Sequence, residues 1–415
     1  MRKKTFFLTF FCIVFLIACN KDMSPIGSAK PQPMRPLTAN EQHISDAAGD
    51  FGFDLFKSIS ASSAQNENFF ISPLSVSMAL GMTMNGADST TYTAMCQTLG
   101  FEGLSEEEIN EAYKNLIALL LQADPEVIFE IANSIWYRDQ FTINPLFIQT
   151  NHTYFDATIL PMNFNDPATV RVINDWVSDK THGKITQIID EIDPMTLMFL
   201  VNTIYFKGIW QYEFEKDKTV EAAFYLTDVE TSTCQLMQVG GDFNYYADKT
   251  VQIIDLPYGD GHFSMTVFLP REAENLDDFI ANIDQIKLHS YLNNMNTSPV
   301  LLELPKFKLE YELNMKQVLE NLGMGVAFIP GQADFSRIVD GIPLVINKVL
   351  HKTFVQVDEE GTEAAAVTVV EIGYTSAGPG GMVMRVDSPF VFLLRERQSG
   401  TILFIGKILN PQWID

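Results

Sequence analysis

Histidine is scarce in this chain of 415 residues: there are six, well separated, and no His-Glu-x-x-His pair exists to seat a catalytic zinc. A Gly-x-Ser-x-Gly nucleophile elbow and a phosphate-cradling Gly-rich loop are missing as well. Carboxylate pairs such as Glu106-Glu107 and Asp277-Asp278 are neighbours in sequence and read as solvated helix ends. Basic charge is also short. Lys and Arg total 28 against 52 Asp and Glu, a balance of −24, or 25 − 52 = −27 once Arg2, Lys3 and Lys4 leave with a leader. A chain this acidic repels phosphate backbones, so nucleic acid is not an expected partner, and the charge reads as solubility. Of four cysteines, Cys12 and Cys19 lie near the N-terminus. Cys96 and Cys234 make no disulfide framework and are expected as buried free thiols. The one long apolar run, Phe6 to Ala18, is too short to span a bilayer comfortably. No cofactor, metal set or catalytic group is signalled.

What is present starts with that leader. Arg2-Lys3-Lys4 precedes the apolar run, which ends in Leu16-Ile17-Ala18-Cys19. This resembles a bacterial lipobox and implies a lipoprotein signal peptide over residues 1–18 with Cys19 lipidated. Residues 19–38, with Pro25, Pro31, Pro33 and Pro36, read as an extended tether. The expected location is lipid-anchored at a bacterial outer membrane or cell surface, with the anchor as the only membrane contact. The rest, residues 39–415, carries no comparable linker and no internal repeat, and reads as one α+β domain with 47% hydrophobic content across the whole chain.

Apolar spacing predicts a helix over residues 38–60. Ser72-Pro73 opens a second helix, with proline in its first turn. Ser105 caps a third, whose first turn is Glu106-Glu107-Glu108 and so complements the helix dipole. Strands are expected at 129–137, 197–206, 251–256, 264–269 and 300–309, and a helix at 314–322. A hairpin of 390–395 and 401–408 is apolar on both faces and is expected to be buried on both.

Beyond Glu360, the stretch from Glu359 to Ile372 follows a parity rule. Its even positions, Thr362, Ala364, Ala366, Thr368, Val370 and Ile372, are small or apolar, while Glu363 and Glu371 are odd. In a strand those sets face opposite sides. Yet Ala364-Ala365-Ala366 favours helix by propensity. The segment therefore reads as one able to become a strand. Four polar residues in apolar surroundings, Ser72, Ser75, Asn202 and His351, are expected to hydrogen-bond one another. With no third, orienting acid they read as a structural cluster rather than a nucleophile.

Taken in order, several motifs resemble the serpin family over roughly residues 39–411. They include Phe70-Ile71-Ser72-Pro73-Leu74-Ser75, Ile173-Asn174-Asp175-Trp176 with Thr181-His182-Gly183-Lys184, and Asn202 to Trp210. Leu304-Pro305-Lys306-Phe307, Asn347 to Lys352 and Glu359 to Thr368 follow, then Ser388-Pro389-Phe390, Gly400 to Gly406 and Asn410-Pro411. The resemblance implies a single serpin domain with about three β-sheets, surrounding helices and an exposed reactive-centre loop over about 359–388. It makes Glu359, Glu360, Gly361, Thr362, Glu363, Ala364, Ala365 and Ala366 the loop hinge. It makes Ser72, Ser75, Asn202 and His351 the shutter beneath the principal sheet, and Trp210 the breach residue.

The function so implied is inhibition, not catalysis. A serine or cysteine protease attacks the loop, forms an acyl-enzyme, and is trapped when the freed loop enters the sheet. Inserting residues 361–375 would carry the enzyme ~50 Å at ~3.3 Å per residue. Counting from the hinge gives Thr375-Ser376 as the reactive bond, with Tyr374-Thr375 as the alternative, while counting back from Pro389 gives a different register near Gly378, because the loop is longer than usual for the family. These suit elastase-, subtilisin- or chymotrypsin-like enzymes, and no Arg or Lys lies between Val370 and Val383 for a trypsin-like one. Acids around Ser105 stand where heparin-binding members carry bases, so no heparin activation is expected. A monomer is expected. The alternative is a non-inhibitory serpin acting as a binding module.

Overall fold

The helices form where sequence caps them. In the computed structural model α1 (Ala39–Ala61) begins at a capping box, with Thr38 Oγ1 accepting from Glu41 N–H and Glu41 accepting from Thr38 N–H. α2 (Pro73–Met84) is capped by Ser72 and carries proline in its first turn. Its residues are buried on nearly every side, because apolar groups run all round it, and it packs against a strand of each sheet. α3 (Ser89–Thr98), α4 (Glu106–Leu120), α5 (Pro145–Phe155) and α6 (Ala168–Lys180) follow, with a second capping box at Ser105 and Glu108. Later come α7 (Leu276–Asn282), α8 (Gln285–Asn294) and the single turn α9 (Lys316–Leu319).

The structure describes residues 34–62, 66–271, 275–362 and 382–413, all within one compact unit, 31–415. Cys19, its leader and most of the tether fall outside them, as do Glu363, Ala364, Ala365, Ala366, Tyr374, Thr375 and Ser376.

The described strands are β1 (Phe69–Ile71), β2 (Val127–Arg138), β3 (Thr158–Met162), β4 (Met198–Ile209), β5 (Val220–Tyr225), β6 (Thr231–Ala247), β7 (Val251–Pro257) and β8 (Phe263–Pro270). Then come β9 (Asn296–Pro305), β10 (Phe307–Asn314), β11 (Leu350–Val357), β12 (Gly361–Thr362), β13 (Met382–Arg385), β14 (Phe390–Glu396) and β15 (Ile402–Ile408). They form two hydrogen-bonded sheets among the described residues, where about three were expected. One runs β1-β15-β14-β8-β7-β6-β9-β13 with β5 also on β6; the other runs β10-β11-β12-β4-β2-β3. The count falls because β6 is long. Its residues 231–236 pair with β5, 236–245 with β9 and 244–247 with β7, which fuses two sheets into one.

Two sequence expectations need correction. The strand expected over 300–309 is two strands in different sheets. The chain crosses at Lys306 from β9 to β10, and the alternation changes phase there, from Val300, Leu302 and Leu304 to Phe307 and Leu309. The helix expected over 314–322 has only one regular turn, α9. It gives way to a wide turn containing Gly323 at φ +116°, which an L side chain rarely adopts. The C-terminal hairpin is buried along both strands as expected. It also carries buried charge: Arg395 bonds Asp255 at 3.0 Å, and Glu396 accepts from Gln398 and Ser399 N–H at 2.8 and 2.6 Å.

α6 and the turn after it cover the outer face of the six-stranded sheet. Ile173, Val177 and Ile185 pack there on Trp136 of β2 and Val201 of β4.

Candidate functional site

β12 decides the geometry of the site. It is two residues long and lies between β11 and β4, antiparallel to both. Thr362 is opposite Val357 on one side and Gly208 on the other; Gly361 is opposite Ile209. β11 and β4 therefore run parallel, held one strand-width apart by β12. Among the described residues no ladder joins them directly. A narrow, largely apolar cavity lies in that interval, lined by Ile204 and Phe206 of β4, Phe354 and Val355 of β11, and Thr362 itself.

The hinge segment is thus already part of the sheet at its first residues. Thr362 is only 3% exposed, and its hydroxyl lies 2.5 Å from the Tyr258 hydroxyl. Burial pushes the Tyr258 phenol far above its ordinary value, so the pair is neutral. Gly361 is needed for close approach rather than for loop freedom. A Cβ there would stand 2.0 Å from the Gly208 carbonyl oxygen. Gly208 in turn leaves room for the Tyr258 ring, which its own Cβ would meet at 2.9 Å.

Trp210 anchors the turn before β12. Its indole is buried, stacked on Tyr258 at 4.3 Å between ring centres, and its Nε1–H donates to Asp358 O at 2.9 Å. Trp210 N–H donates to Glu360 O and Phe214 N–H to Glu359 O. Glu359 accepts from Thr219 Oγ1 at 2.7 Å and pairs with Lys306 at 2.9 Å. Burial works against its charge, but the Lys306 and Thr219 bonds outweigh that and hold the carboxyl below its usual range. Glu360 pairs with Lys216.

The four polar residues expected to cluster are divided. His351 Nε2 accepts from Ser72 N–H at 3.1 Å, and Ser72 Oγ accepts from Ser75 N–H at 3.3 Å. Burial lowers the His351 pKa to about 4, so the ring is neutral. Asn202 does not join them. Its Nδ2 donates to Asn133 Oδ1 at 2.6 Å, because the two residues are opposite each other in the β2–β4 ladder. Asn202 Oδ1 is enclosed and accepts no hydrogen bond among the described residues. Sequence reasoning missed Tyr258, Lys306, Thr219 and Asn133 as site residues. Each reaches the site only through strand pairing or a turn, so local pattern carries no sign of it.

Among the described residues no group of His, Cys, Asp and Glu is arranged to hold a metal, and no helix is long and apolar enough to cross a membrane. Cys234 is buried and Cys96 half-buried; both are free thiols.

Among the described residues, a two-residue strand thus enters between two parallel neighbours that share no ladder of their own. The sequence matches the serpin (serine protease inhibitor) family over residues 46–411. The chain is a serpin. It is 32% identical to an uncharacterized serpin-like protein of Methanosarcina acetivorans, covering 91% of this chain and 88% of that one. It is 33% identical to a leukocyte elastase inhibitor of Xenopus laevis, covering 89% and 100%. Its fold is similar to that of the native thermophilic serpin tengpin, with TM-score 0.81, 35% identity and coverage of 92% and 97%. The α+β serpin fold read from sequence is the fold observed, and the family is one of protease inhibitors rather than enzymes.

Proposed function

We propose that this serpin is a suicide-substrate inhibitor of serine proteases, with cysteine proteases as further targets, and that loop entry between β11 and β4 traps the acyl-enzyme. The observation that carries this reading is the register of β12. Each two-residue step beyond Thr362 moves two residues back along both flanking strands. In that register Ala364 would lie between Val355 and Phe206, Ala366 between Thr353 and Ile204, and Thr368 between His351 and Asn202. Val355, Thr353 and Phe206 are buried, so the even positions would enter the core face. Glu363 would face outward beside Lys207. The parity seen in sequence agrees with the parity the sheet requires.

In this reading Ser72, Ser75, Asn202 and His351 serve as the shutter, and Trp210 holds the breach closed until cleavage. Net gain on insertion comes from roughly a dozen ladder hydrogen bonds at ~1 kcal/mol each, plus apolar burial. The intact form is then held by a kinetic barrier. Serpin fold alone does not require inhibition: a thyroxine-binding globulin complexed with thyroxine has a TM-score of 0.82 to this chain. Hinge composition favours the inhibitory reading, since no proline occurs between Glu359 and Pro379 and no charge lies among the even positions from Thr362 to Ile372.

Mixing the protein with elastase, subtilisin or chymotrypsin is expected to give a complex that survives hot detergent. Mass spectrometry would assign the bond, expected at Thr375-Ser376 or Tyr374-Thr375. Clean turnover of the loop by all three enzymes, with no rise in melting temperature after cleavage, would sink the proposal in favour of a binding module. A lipid on Cys19 tethering the domain to an outer membrane or cell surface belongs to the same proposal. Cys19→Ser is expected to release the protein from the detergent phase in a two-phase extraction.

A further inference from the structure

We propose that the C-terminal tail clamps the hinge, with Trp413 as a positioning residue that acts through Lys306 on Glu359. Lys306 stands where the chain crosses from β9 to β10. Its ammonium lies 2.9 Å from Glu359 Oε2 and 4.1 Å from the centre of the Trp413 ring. Cation and ring face attract one another through the ring quadrupole. An indole seated on the ammonium covers one side of Lys306, where water would otherwise screen its attraction to Glu359.

The tail is placed to do this. Asn68 Oδ1 accepts from Leu409 and Asn410 N–H at 2.7 and 3.0 Å, and Ser232 Oγ donates to Asn410 Oδ1 at 2.9 Å. Further on, Lys308 N–H donates to Gln412 O at 2.9 Å. The backbone is therefore held on both sides of Pro411, and Trp413 is delivered onto Lys306. On the other side, Glu359 fixes the turn from which Gly361 and Thr362 enter the sheet. Its Oε1 is held by Thr219 and its carbonyl by Phe214 N–H. The last aromatic of the chain thus reaches the first residues of the loop through one lysine. Removing the indole loosens the ion pair and lets the turn at 358–360 part from the sheet more often.

Hydrogen exchange read by mass spectrometry on the full chain tests this without any protease. Trp413→Ala is expected to speed exchange of the Glu360–Thr362 amides by about three- to tenfold, with β7 and β8 amides unchanged. Trp413→Phe is expected to restore most of the protection. Lys306→Met is expected to speed the same amides, and Trp413→Ala added to it to do nothing further. Three results would overturn the clamp: unchanged exchange in Trp413→Ala, an equal rise in β7 and β8, or a full Trp413→Ala effect in the Lys306→Met background. The effect on inhibition rests on the proposed function. Faster hinge exchange with unaltered protease trapping would leave the clamp standing and count against hinge entry as the step that sets trapping.

Discussion

Replacing Thr362 by arginine tests the insertion mechanism where the structure gives the most detail. Thr362 is buried, bonded to the neutral Tyr258 hydroxyl, and flanked by Gly208 and the fully enclosed Val357. The nearby carboxylates are already engaged, Glu359 by Lys306 and Glu360 by Lys216. A guanidinium at this position would be a buried charge without a partner, which costs several kcal/mol. What holds β12 in place is a few ladder bonds and one hydroxyl pair, each worth about 1 kcal/mol net. The penalty exceeds the gain, so β12 leaves the sheet and the loop cannot start its entry. A barrier raised by about 4 kcal/mol slows insertion roughly a thousandfold. Deacylation then overtakes insertion, and the protein turns from inhibitor into substrate. The assay is the ratio of detergent-stable complex to cleaved serpin after reaction with a protease the wild type traps. An unchanged ratio in Thr362→Arg, with Thr362→Val as a neutral control, would refute the argument.

Three further outcomes follow from the same geometry. Gly361→Ala forces a Cβ to within 2.0 Å of the Gly208 carbonyl, so Gly361–Thr362 is expected to lose its sheet pairing; retained hydrogen-exchange protection there would contradict the close-approach reading. His351 is neutral in the fold with its pKa lowered to about 4 from 6.5, so its contribution is fully present above pH 6.5 and is lost as pH falls toward 4. That loss is roughly 3 kcal/mol, and a pH series of melting curves should show the acid slope shrink in His351→Gln. Thr368→Val removes the hydroxyl that would meet the enclosed Asn202 Oδ1 after insertion, so the gain in melting temperature on loop cleavage should fall relative to wild type, while an unaltered gain would mean the register shifts beyond Thr362.

Elements whose boundaries are set by local chemistry could be read without a structure. Ser105 reads as a cap because it offers a side-chain oxygen to a free backbone N–H, and the cap is present; Ser72, read as a helix opening, and Thr38 are found to cap in the same way. The C-terminal hairpin was legible because few patterns other than a doubly buried strand pair suit such continuous apolar runs. β6 was not legible. Gly240, Gly241 and Asp242 interrupt its alternation, and Gly241 is tolerated in mid-strand because the Phe243 and Tyr212 rings fill the space a Cβ would take. The split at Lys306 shows in the sequence only as a change of phase, from apolar even positions up to Leu304 to apolar odd positions from Phe307, and reading the stretch as one strand passes over it.

The site divides along the same line. The sequence by itself determined which side chains of the loop can be buried, because side-chain parity along a strand is a property of the backbone and needs no partner. It determined the caps, the buried hairpin and the family likeness. Only the tertiary structure decided that Gly361 and Thr362 are already seated between β11 and β4, that Asn202 bonds Asn133 rather than the serines, and that Lys306 stands beside Glu359 with Trp413 against it. Those facts depend on which distant segments become neighbours, and strand register is fixed by packing of the whole sheet rather than by any stretch of residues within it.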